Sequence, residues 1–389
     1  MSRNTRADDL SRSLAAFEQP TTLVVVVEMG WSGWLIAGLV PGVERRPKKK
    51  LEPDPEALLR RVDCWRDEAV AAGRPITRIV LAYEAGGDGF WLARWLQARG
   101  VETHVIHATS VAVSRDKKRA KTDRLDAEML LRVFLGWLRG ERGHCSMVAV
   151  PTLEQEDDRR PGREREALVA ERTRIVNRLK AAMAWLGIRG FKPQLRSAPA
   201  KLEALRTPEG VPIPPNTLAE LRRDMARLAG LREQIAAIET ARAERLDMDP
   251  ERGPHPMIRL LARVRGVGIE TAEMLVTEVM TRDLRDRRAV ARYAGITGSP
   301  DESGARRREK GLARAGNARV RRGMIQLAWR WLQFQEESAL ALWFHARVAG
   351  AAAVRKKMIV ALARKLLVAL WQLATTGIVP QGVALRPAA

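Results

Sequence analysis

Two aspartates lie three residues apart in a strongly basic part of this sequence. Asp123 and Asp126 fall in the segment KTDRLDA, and six lysines and arginines occupy positions 115–124. At the start of a helix this spacing places both carboxylates on one face. The pair could form ion pairs with the neighbouring cations. It could also hold metal ions beside a phosphate backbone that those cations attract.

Two further carboxylates fall where predicted strands end. Glu28 closes the run TTLVVVVE, and Glu84 closes ITRIVLAYE. Mg²⁺ prefers several hard oxygen ligands, and a two-ion site stabilises both the attacking and the leaving oxygen of a phosphodiester. The simpler interpretations are an ordinary strand-end carboxylate and a helix N-terminal acid stabilised by the helix dipole. The residues alone leave both interpretations open.

These carboxylates need elements that position them. Over residues 21–150, apolar runs and amphipathic segments follow the order strand, strand, helix, strand, helix, strand, helix. This order predicts an α/β domain with a mixed sheet, beginning with a hairpin. Asp54, Pro55 and Gly73 predict the N-cap, the first position and the end of the first helix.

From about residue 163 the pattern becomes helical. Leucine, isoleucine and methionine recur at helical spacing over 168–186 and 218–238, which predicts two long helices with narrow apolar stripes. The two helices could form a hairpin packed on its own domain or a dimerisation arm, and the narrow stripes favour the arm. From residue 256 the sequence predicts a helix, a tight glycine turn and further helices, the last near 352–375.

The composition limits the partners. The chain has 389 residues, a formal net charge of +22 and only two cysteines. The charge indicates a polyanion, with nucleic acid ahead of an anionic membrane surface, and the cysteines exclude a disulfide framework or a Cys-rich zinc site. The N-terminus lacks a signal-peptide core, and the apolar stretch Met358–Leu373 is interrupted by charges and too short to span a bilayer. We therefore expect a cytoplasmic protein with no membrane partner.

Three C-terminal motifs could contact phosphates. In SPDESGARRREKG, Ser303 precedes a run of cations, although a serine-capped surface turn is the simpler interpretation. In RGVGIETA, Gly266 and Gly268 precede a helix, as in a helix-hairpin-helix phosphate clamp or in any tight helix–helix turn. In GNARVRRG, Asn317 predicts a helix N-cap. Four tryptophans fall on helices among leucines, which favours core packing over base stacking; these are Trp91, Trp95, Trp329 and Trp331.

Several of these segments together resemble the insertion-sequence-110 transposase family. AYEAGGDGFWLARWLQARG through KTDRLDAEML resembles its RuvC-like, RNase H-fold domain, and RGVGIETAEMLVTEV, YAGITGSPDESG and KGLARAGNARVRRGMIQLAW resemble its C-terminal domain. The resemblance covers nearly all of the chain beyond residue 20. It implies an α/β plus all-α protein. A polar arm (1–20) precedes an RNase H/RuvC-like metal-binding domain (21–150), a helical, coiled-coil-like connector (151–250) and a mostly helical C-terminal domain with a helix-hairpin-helix-like motif (251–389).

The resemblance implies a DNA recombinase of an insertion sequence. Its metal site would be Glu28, Glu84, Asp123 and Asp126 holding Mg²⁺, as two ions, and Ser303 would be the nucleophile that links covalently to DNA. Glu28 departs from the family pattern, where aspartate is usual. The family is described as using a structured guide RNA to choose donor and target DNA. The positions expected to contact nucleic acid are Lys117, Lys118, Arg119, Lys121, Gly266, Gly268, Arg306, Arg307, Arg308, Lys310, Arg319, Arg321 and Arg322.

Two other functions fit the residues. The chain could be a RuvC-like, Mg²⁺-dependent, structure-selective nuclease that hydrolyses DNA with water, in which Ser303 is only structural. It could also be a basic nucleic-acid-binding protein without enzymatic activity. For the recombinase we expect a homodimer or a homotetramer.

Overall fold

The computed structural model describes residues 10–87, 89–111, 123–282, 284, 286–303, 306–312, 316–349 and 354–387. The chain divides into two compact units, Met1–Glu154 with Arg282–Asp286, and Gln155–Thr281 with Arg287–Ala389. The second unit therefore contains most of both the predicted connector and the predicted C-terminal domain. Lys117, Lys118, Arg119 and Lys121 lie outside the described residues.

The first unit is built on a mixed six-stranded sheet, as the alternation of elements predicted. The strand order is β3-β2-β1-β4-β5-β6, with β1, β4 and β5 parallel to one another and the other pairs antiparallel. The elements are β1 (Thr22–Gly30), β2 (Gly33–Leu39), β3 (Lys48–Leu51), α1 (Pro55–Ala71), β4 (Arg78–Glu84), α2 (Trp91–Gln97), β5 (Glu102–Ile106), α3 (Asp123–Leu138) and β6 (Met147–Val148).

The central strand β1 is covered on both faces, which explains its continuous run of valines. Val25 and Val27 pack into the core formed with α1 and α2, whereas Val24 and Val26 pack into the core formed with α3. Because side chains alternate along a strand, even-numbered positions of β1 face α3. The same parity holds in β4, where Val80 and Ala82 belong to the α3 core.

Local signals predicted α1 correctly. The Asp54 carboxylate accepts hydrogen bonds from the backbone N–H groups of Glu56 and Ala57, both at 3.0 Å, and Pro55 is the first helical residue. An N-cap that satisfies two free N–H groups stabilises a helix by about 1 kcal/mol. Beyond the helix, Gly73 takes a left-handed conformation, with φ of 72°.

The second unit is mostly helical. Its helices begin with α4 (Leu153–Asp157), which crosses the boundary between the units, and continue with α5 (Arg160–Trp185), α6 (Ala198–Ala204), α7 (Pro215–Met248), α8 (His255–Ala262), α9 (Ile269–Leu275), α10 (Arg287–Tyr293), α11 (Ala318–Phe334), α12 (Ala339–Val348) and α13 (Arg355–Thr376). A π-helical turn, Val276–Met280, extends α9. A two-stranded hairpin, β7 (Gly298–Ser303) and β8 (Arg306–Leu312), lies between α10 and α11.

The long helices α5 and α7 pack against each other within the chain. Their apolar stripes, which include Leu179 and Met183 of α5 and Leu221 and Leu228 of α7, form one buried cluster. The apolar stripes that predicted two long helices therefore pack against each other and hold α5 and α7 together as a helical hairpin within the unit. Whether the hairpin also serves as a dimerisation arm stays a prediction.

Helix α13 confirms the helix predicted near 352–375, but it is longer than the apolar stretch predicted to be too short to span a bilayer. Within the part of the chain that the structure describes, it is the one helix whose length and composition would suffice to cross a membrane. Core helices of other folds satisfy the same test. Leu362, Leu366 and Leu370 are fully buried within the second unit, as expected of a core helix.

Candidate active site

Two of the predicted metal ligands lie side by side at the carboxyl end of the sheet. Strands β1 and β4 are parallel neighbours, paired from Thr22 with Arg78 up to Val27 with Tyr83. One residue further, Glu28 is level with Glu84. Both residues have the parity of positions that face α3, and both are half-buried. Two carboxylates from two strands therefore share one edge and one face of the sheet.

Helix α3 lies over the same face of the sheet. Ala127 and Leu130 are fully buried in the core that it forms with β1 and β4. Positions 123 and 126 each lie one turn before one of these residues, so they belong to the sheet-facing side of the first helical turns. Asp126 is half-buried, and the side chain of Asp123 lies outside the described set.

The chemistry of these residues suits a hard cation. All four predicted ligands are carboxylates, and Mg²⁺ prefers oxygen ligands drawn from several elements. Among the side chains that the structure describes, no three acids, histidines or cysteines are grouped closely enough to hold a metal ion. The four predicted ligands fit the metal by their chemistry. The three whose side chains are described, Glu28, Glu84 and Asp126, are not grouped closely enough here to hold an ion, and the side chain of Asp123 is not among those described.

One exposed tryptophan close to Glu28 was not singled out from the sequence. Trp31 lies in the two-residue turn between β1 and β2, three positions after Glu28, and is 97% exposed. Of the four tryptophans predicted to pack in the core, Trp331 is fully buried, whereas Trp91 and Trp329 are each 40% exposed. Among these four tryptophans, complete burial is found for Trp331 only.

Ser303 lies at the end of an antiparallel hairpin, where the sequence indicated only a turn. It is the last residue of β7 and pairs with Arg306 of β8, while Glu302 pairs with Arg307 and Asp301 with Arg308. Lys310 is also on β8. The side chains of 301–310 lie outside the described set, so the ladder defines only which positions are neighbours. It places the predicted nucleophile next to the predicted phosphate-binding arginines.

The glycine turn between α8 and α9 has the predicted helix–turn–helix form. Gly266 has φ of +90°, and a Cβ added there would lie 3.1 Å from Cβ of Phe334. Gly268 is the extended N-cap of α9, and nothing lies within 4 Å of an added Cβ. The first turn of α9 carries Glu270, whose carboxylate accepts a 2.6 Å hydrogen bond from Arg242. A phosphate clamp at this turn stays a prediction.

Asn317 caps α11 as predicted, but the arginines that follow differ from one another. Its side chain accepts from the backbone N–H groups of Arg319 and Val320. The Arg319 side chain is only 13% exposed and donates to Glu166 at 2.9 Å and to Glu278 at 3.3 Å. Arg322 is exposed and pairs with Glu166. Arg319 is therefore occupied by carboxylates within the protein.

Arg319 belongs to a buried charge network that joins α5, α7, α9 and α11. Glu278 is 2% exposed and is surrounded by Arg163 and Arg319. Burial raises the pKa of Glu278, but the nearby arginines outweigh burial and hold the pKa below its usual value. For Glu273, burial dominates and raises the pKa, although Arg242 donates to it at 2.7 Å. The pKa values of two glutamates in one network are thus shifted in opposite directions, downward for Glu278 and upward for Glu273.

Comparisons with known proteins agree with this architecture. Residues 48–186 match a transposase model of DEDD type, and residues 258–343 match the transposase IS116/IS110/IS902 family. The candidate transposase y4rJ of Sinorhizobium fredii is 41% identical over 375 residues, which cover 94% of each chain. The mixed sheet with its helices fits an RNase H-like DEDD domain, a type of transposase domain that generally uses a divalent metal. The chain belongs to the IS110 family of transposases. The DEDD match begins after Glu28.

Proposed function

We propose that this transposase cuts DNA with two Mg²⁺ ions held by Glu28, Glu84, Asp123 and Asp126, and rejoins it through a covalent link to Ser303. The observation that carries the proposal is the parallel register that brings Glu28 level with Glu84 on the face covered by α3. Strand ends and the start of a helix are fixed by the core, so ligands there keep their spacing.

The four carboxylates would have one shared task. They would bind the cations at the sheet edge, with Glu28 and Glu84 reaching from the strands and Asp123 and Asp126 from the helix. When bound, Mg²⁺ stabilises negative charge on the attacking and leaving oxygens of the phosphodiester. Glu28 replaces the usual aspartate and reaches one methylene further, so its backbone has to lie correspondingly further from the ion.

Ser303 would act by transesterification. Its Oγ attacks the phosphorus of the scissile phosphodiester, a P–Oγ bond forms, and the bond to the departing strand's oxygen breaks. The hydroxyl proton of Ser303 ends on that oxygen, which leaves as a free DNA hydroxyl. Attack by a DNA hydroxyl reverses the step. One phosphoester bond replaces another throughout, so rejoining needs no external energy source.

The basic residues would hold the nucleic acids. Lys117, Lys118, Arg119 and Lys121 precede the aspartates, and Arg306 to Arg308 are neighbours of Ser303 on the ladder. A net charge of +22 suits a protein that neutralises both donor and target DNA and a structured guide RNA. Arg319, whose side chain is occupied by carboxylates, contributes to folding in this proposal. A homodimer or homotetramer would bring two cleavage sites together.

The test uses a plasmid that carries the element's ends, incubated with Mg²⁺ and the full-length protein. Glu84→Gln and Asp126→Asn should abolish strand cleavage while DNA binding stays within a few-fold of wild type, because fewer negative charges do not weaken polyanion binding. Glu128→Gln is the matched control, since Glu128 is an exposed carboxylate on the same helix and pairs with Lys48. Cleavage at the wild-type rate by a protein that carries both Glu84→Gln and Asp126→Asn would refute the metal role.

Denaturing gels separate the serine mechanism from hydrolysis. Wild-type protein should form a covalent protein–DNA species that Ser303→Ala lacks. Nicking without such a species, together with cleavage by Ser303→Ala, would instead identify a nuclease that uses water. A protein that only binds nucleic acid would show neither. Glu28→Asp tests the unusual ligand: activity equal to or above wild type supports ligation, and full activity of Glu28→Ala argues against it.

A further inference from the structure

The helical hairpin of the second unit contains a basic groove that the proposed chemistry does not use. The groove has a volume of about 560 Å³ and lies between α5, the segment that follows α5, and α7. Its lining includes three cations and no acid. The lining residues are Arg172, Thr173, Val176, Asn177, Lys180, Gln194 and Arg232.

The cations of the groove are not neutralised by acids. Several other arginines of the hairpin are, as Arg178 is by Asp224 at 2.6 Å and Arg165 by Glu239 at 2.6 Å. Within the described part of the chain, Arg172 and Lys180 make no ion pair or hydrogen bond. The Arg232 guanidinium donates to the Pro193 carbonyl at 3.0 Å, which holds it at the groove without neutralising it.

The spacing of these charges suits a chain of anions. Arg172 and Lys180 are eight residues apart on α5, so they share one side of the helix and are about 12 Å apart along its axis. Asn177 lies between them and offers both donors and acceptors, as Gln194 does across the groove. Cations along a line, with amides between them, can bind a polymer of phosphates that also carries polar bases.

We propose that this groove binds a short single-stranded stretch of RNA or DNA. Arg172, Lys180 and Arg232 take the phosphates, and Asn177 and Gln194 contact base edges or sugars. The volume is that of a site for a small organic ligand, which admits one or two nucleotides of a strand rather than a duplex. The inference rests on the proposed function only in taking nucleic acid as the polyanion.

The test compares two double variants with the same change in net charge. Arg172→Gln with Lys180→Gln removes two groove cations. The control, Arg174→Gln with Arg223→Gln, removes two exposed cations from the opposite sides of α5 and α7: Arg174 is two residues from Arg172, and Arg223 is nine residues from Arg232. Arg172→Lys with Lys180→Arg keeps the charge and reports on the fold.

Binding of a 12-nucleotide single strand, as RNA and as DNA, is measured between 50 and 200 mM salt. Each lost phosphate contact lowers the slope of log K against log salt by about 0.7, so the groove variant should lose about 1.4 in slope and weaken about 25-fold near 0.1 M salt. The control and the charge-keeping variant should stay within about twofold. A loss with RNA alone or with DNA alone identifies which strand occupies the groove, and either supports the proposal.

Three results would overturn the inference. They are an equal loss in the control variant, an unchanged salt slope in the groove variant, and a duplex DNA probe that loses as much affinity as the single strands. The outcome is separable from the proposed chemistry. If wild-type protein binds no nucleic acid, the proposed function fails as well. If Asp126→Asn loses cleavage while the groove variant binds like wild type, only the groove inference fails.

Discussion

Glu278 offers the sharpest test of the buried charge network. Its carboxylate is almost completely buried, with Arg163 and Arg319 each at 3.3 Å and the Asn317 amide donating at 3.0 Å. Glu273 lies one turn earlier and is buried too, but Arg242 is its hydrogen-bonded partner and also bonds Glu270. Replacing each glutamate by glutamine keeps the shape and removes only the charge.

We expect Glu278→Gln to cost about 3 kcal/mol of unfolding free energy. Removing one member of a buried ion pair costs about 3–5 kcal/mol, because the remaining charge stays buried. Glutamine keeps neutral hydrogen bonds, so the lower end applies, and Arg319 keeps its bond to Glu166. For a unit of 150–250 residues this corresponds to a fall in Tm of about 6–12 °C. Glu273→Gln should cost less than about 1 kcal/mol, since burial already penalises the charge there.

The two variants should also differ in their response to pH. The pKa of Glu278 is lowered by folding, so its stabilising contribution is complete above the unfolded pKa of about 4.3 and is lost as the pH falls further. The pKa of Glu273 is raised, so its contribution is present below that pKa and is lost as the pH rises. At acid pH the free energies of unfolding of Glu278→Gln and Glu273→Gln should therefore differ less than at neutral pH.

Differential scanning calorimetry of the full chain at pH 7 and at about pH 3.5, below the unfolded pKa of about 4.3, measures both effects. The transition of the second unit is identified as the one that Glu278→Gln shifts. Glu244→Gln, which removes an exposed carboxylate of α7, serves as the control and should leave Tm within about 1–2 °C. If Glu278→Gln lowers Tm no more than Glu273→Gln does, the arginines around Glu278 do not stabilise its charge and the reasoning is wrong.

Three further local features are tested by urea unfolding of substituted proteins. Gly316→Ala should cost about 3 kcal/mol, since its φ is +102° and its Cβ would lie 2.3 Å from a carbonyl oxygen, whereas Gly311→Ala, at φ of +90° in open space, should cost about 1 kcal/mol. The pKa of Glu102 is about 2, because hydrogen bonds from Arg78 and His104 outweigh the opposing effect of burial. Its contribution should be lost between about pH 4.3 and pH 2, a dependence that Glu102→Gln removes. Asp54→Ala should cost about 1 kcal/mol through loss of the N-cap. Equal urea midpoints for Gly316→Ala and Gly311→Ala would contradict the first expectation. The second would fail if Glu102→Gln were as sensitive to acid as wild type, and the third if Asp54→Ala left the stability of the first unit unchanged.

Much of the first unit could be predicted because its signals are local. The valine run of β1 is buried on both faces, and Asp54 begins α1 through contacts with residues two and three positions away. The strand β3 could not be predicted in this way. Its sequence, KKKL, has no apolar alternation, and it exists because β2 offers an edge to pair with. The hairpin β7–β8 is similar, since its charged strands are recognisable only when paired.

The positions of the candidate site residues at strand ends could be predicted from the sequence, whereas the side chains and strands that surround them could not. Glu28 and Glu84 could be placed at strand ends from the sequence, but their common level required the register of two strands that are separated by α1. The charge network was invisible because its contacts are distant in sequence. Arg319 and Glu166 are 153 residues apart. An arginine in a basic motif therefore predicted a phosphate contact, although the folded chain gives it carboxylates.

The network has a consequence for the hairpin that carries Ser303. After β8, the Asn317 backbone N–H donates to the Tyr293 carbonyl at 2.7 Å, and its side chain bonds both Glu278 and the Tyr293 hydroxyl. Before β7, Ile296 is buried and its N–H donates to the carbonyl of Ala291. Ile296, before the hairpin, and Asn317, after it, are thus each held by contacts within the second unit. Buried charges often add little net stability but can enforce one arrangement over others. Through its hydrogen bond from the Asn317 amide, Glu278 therefore helps to hold the start of α11, the helix that follows the hairpin.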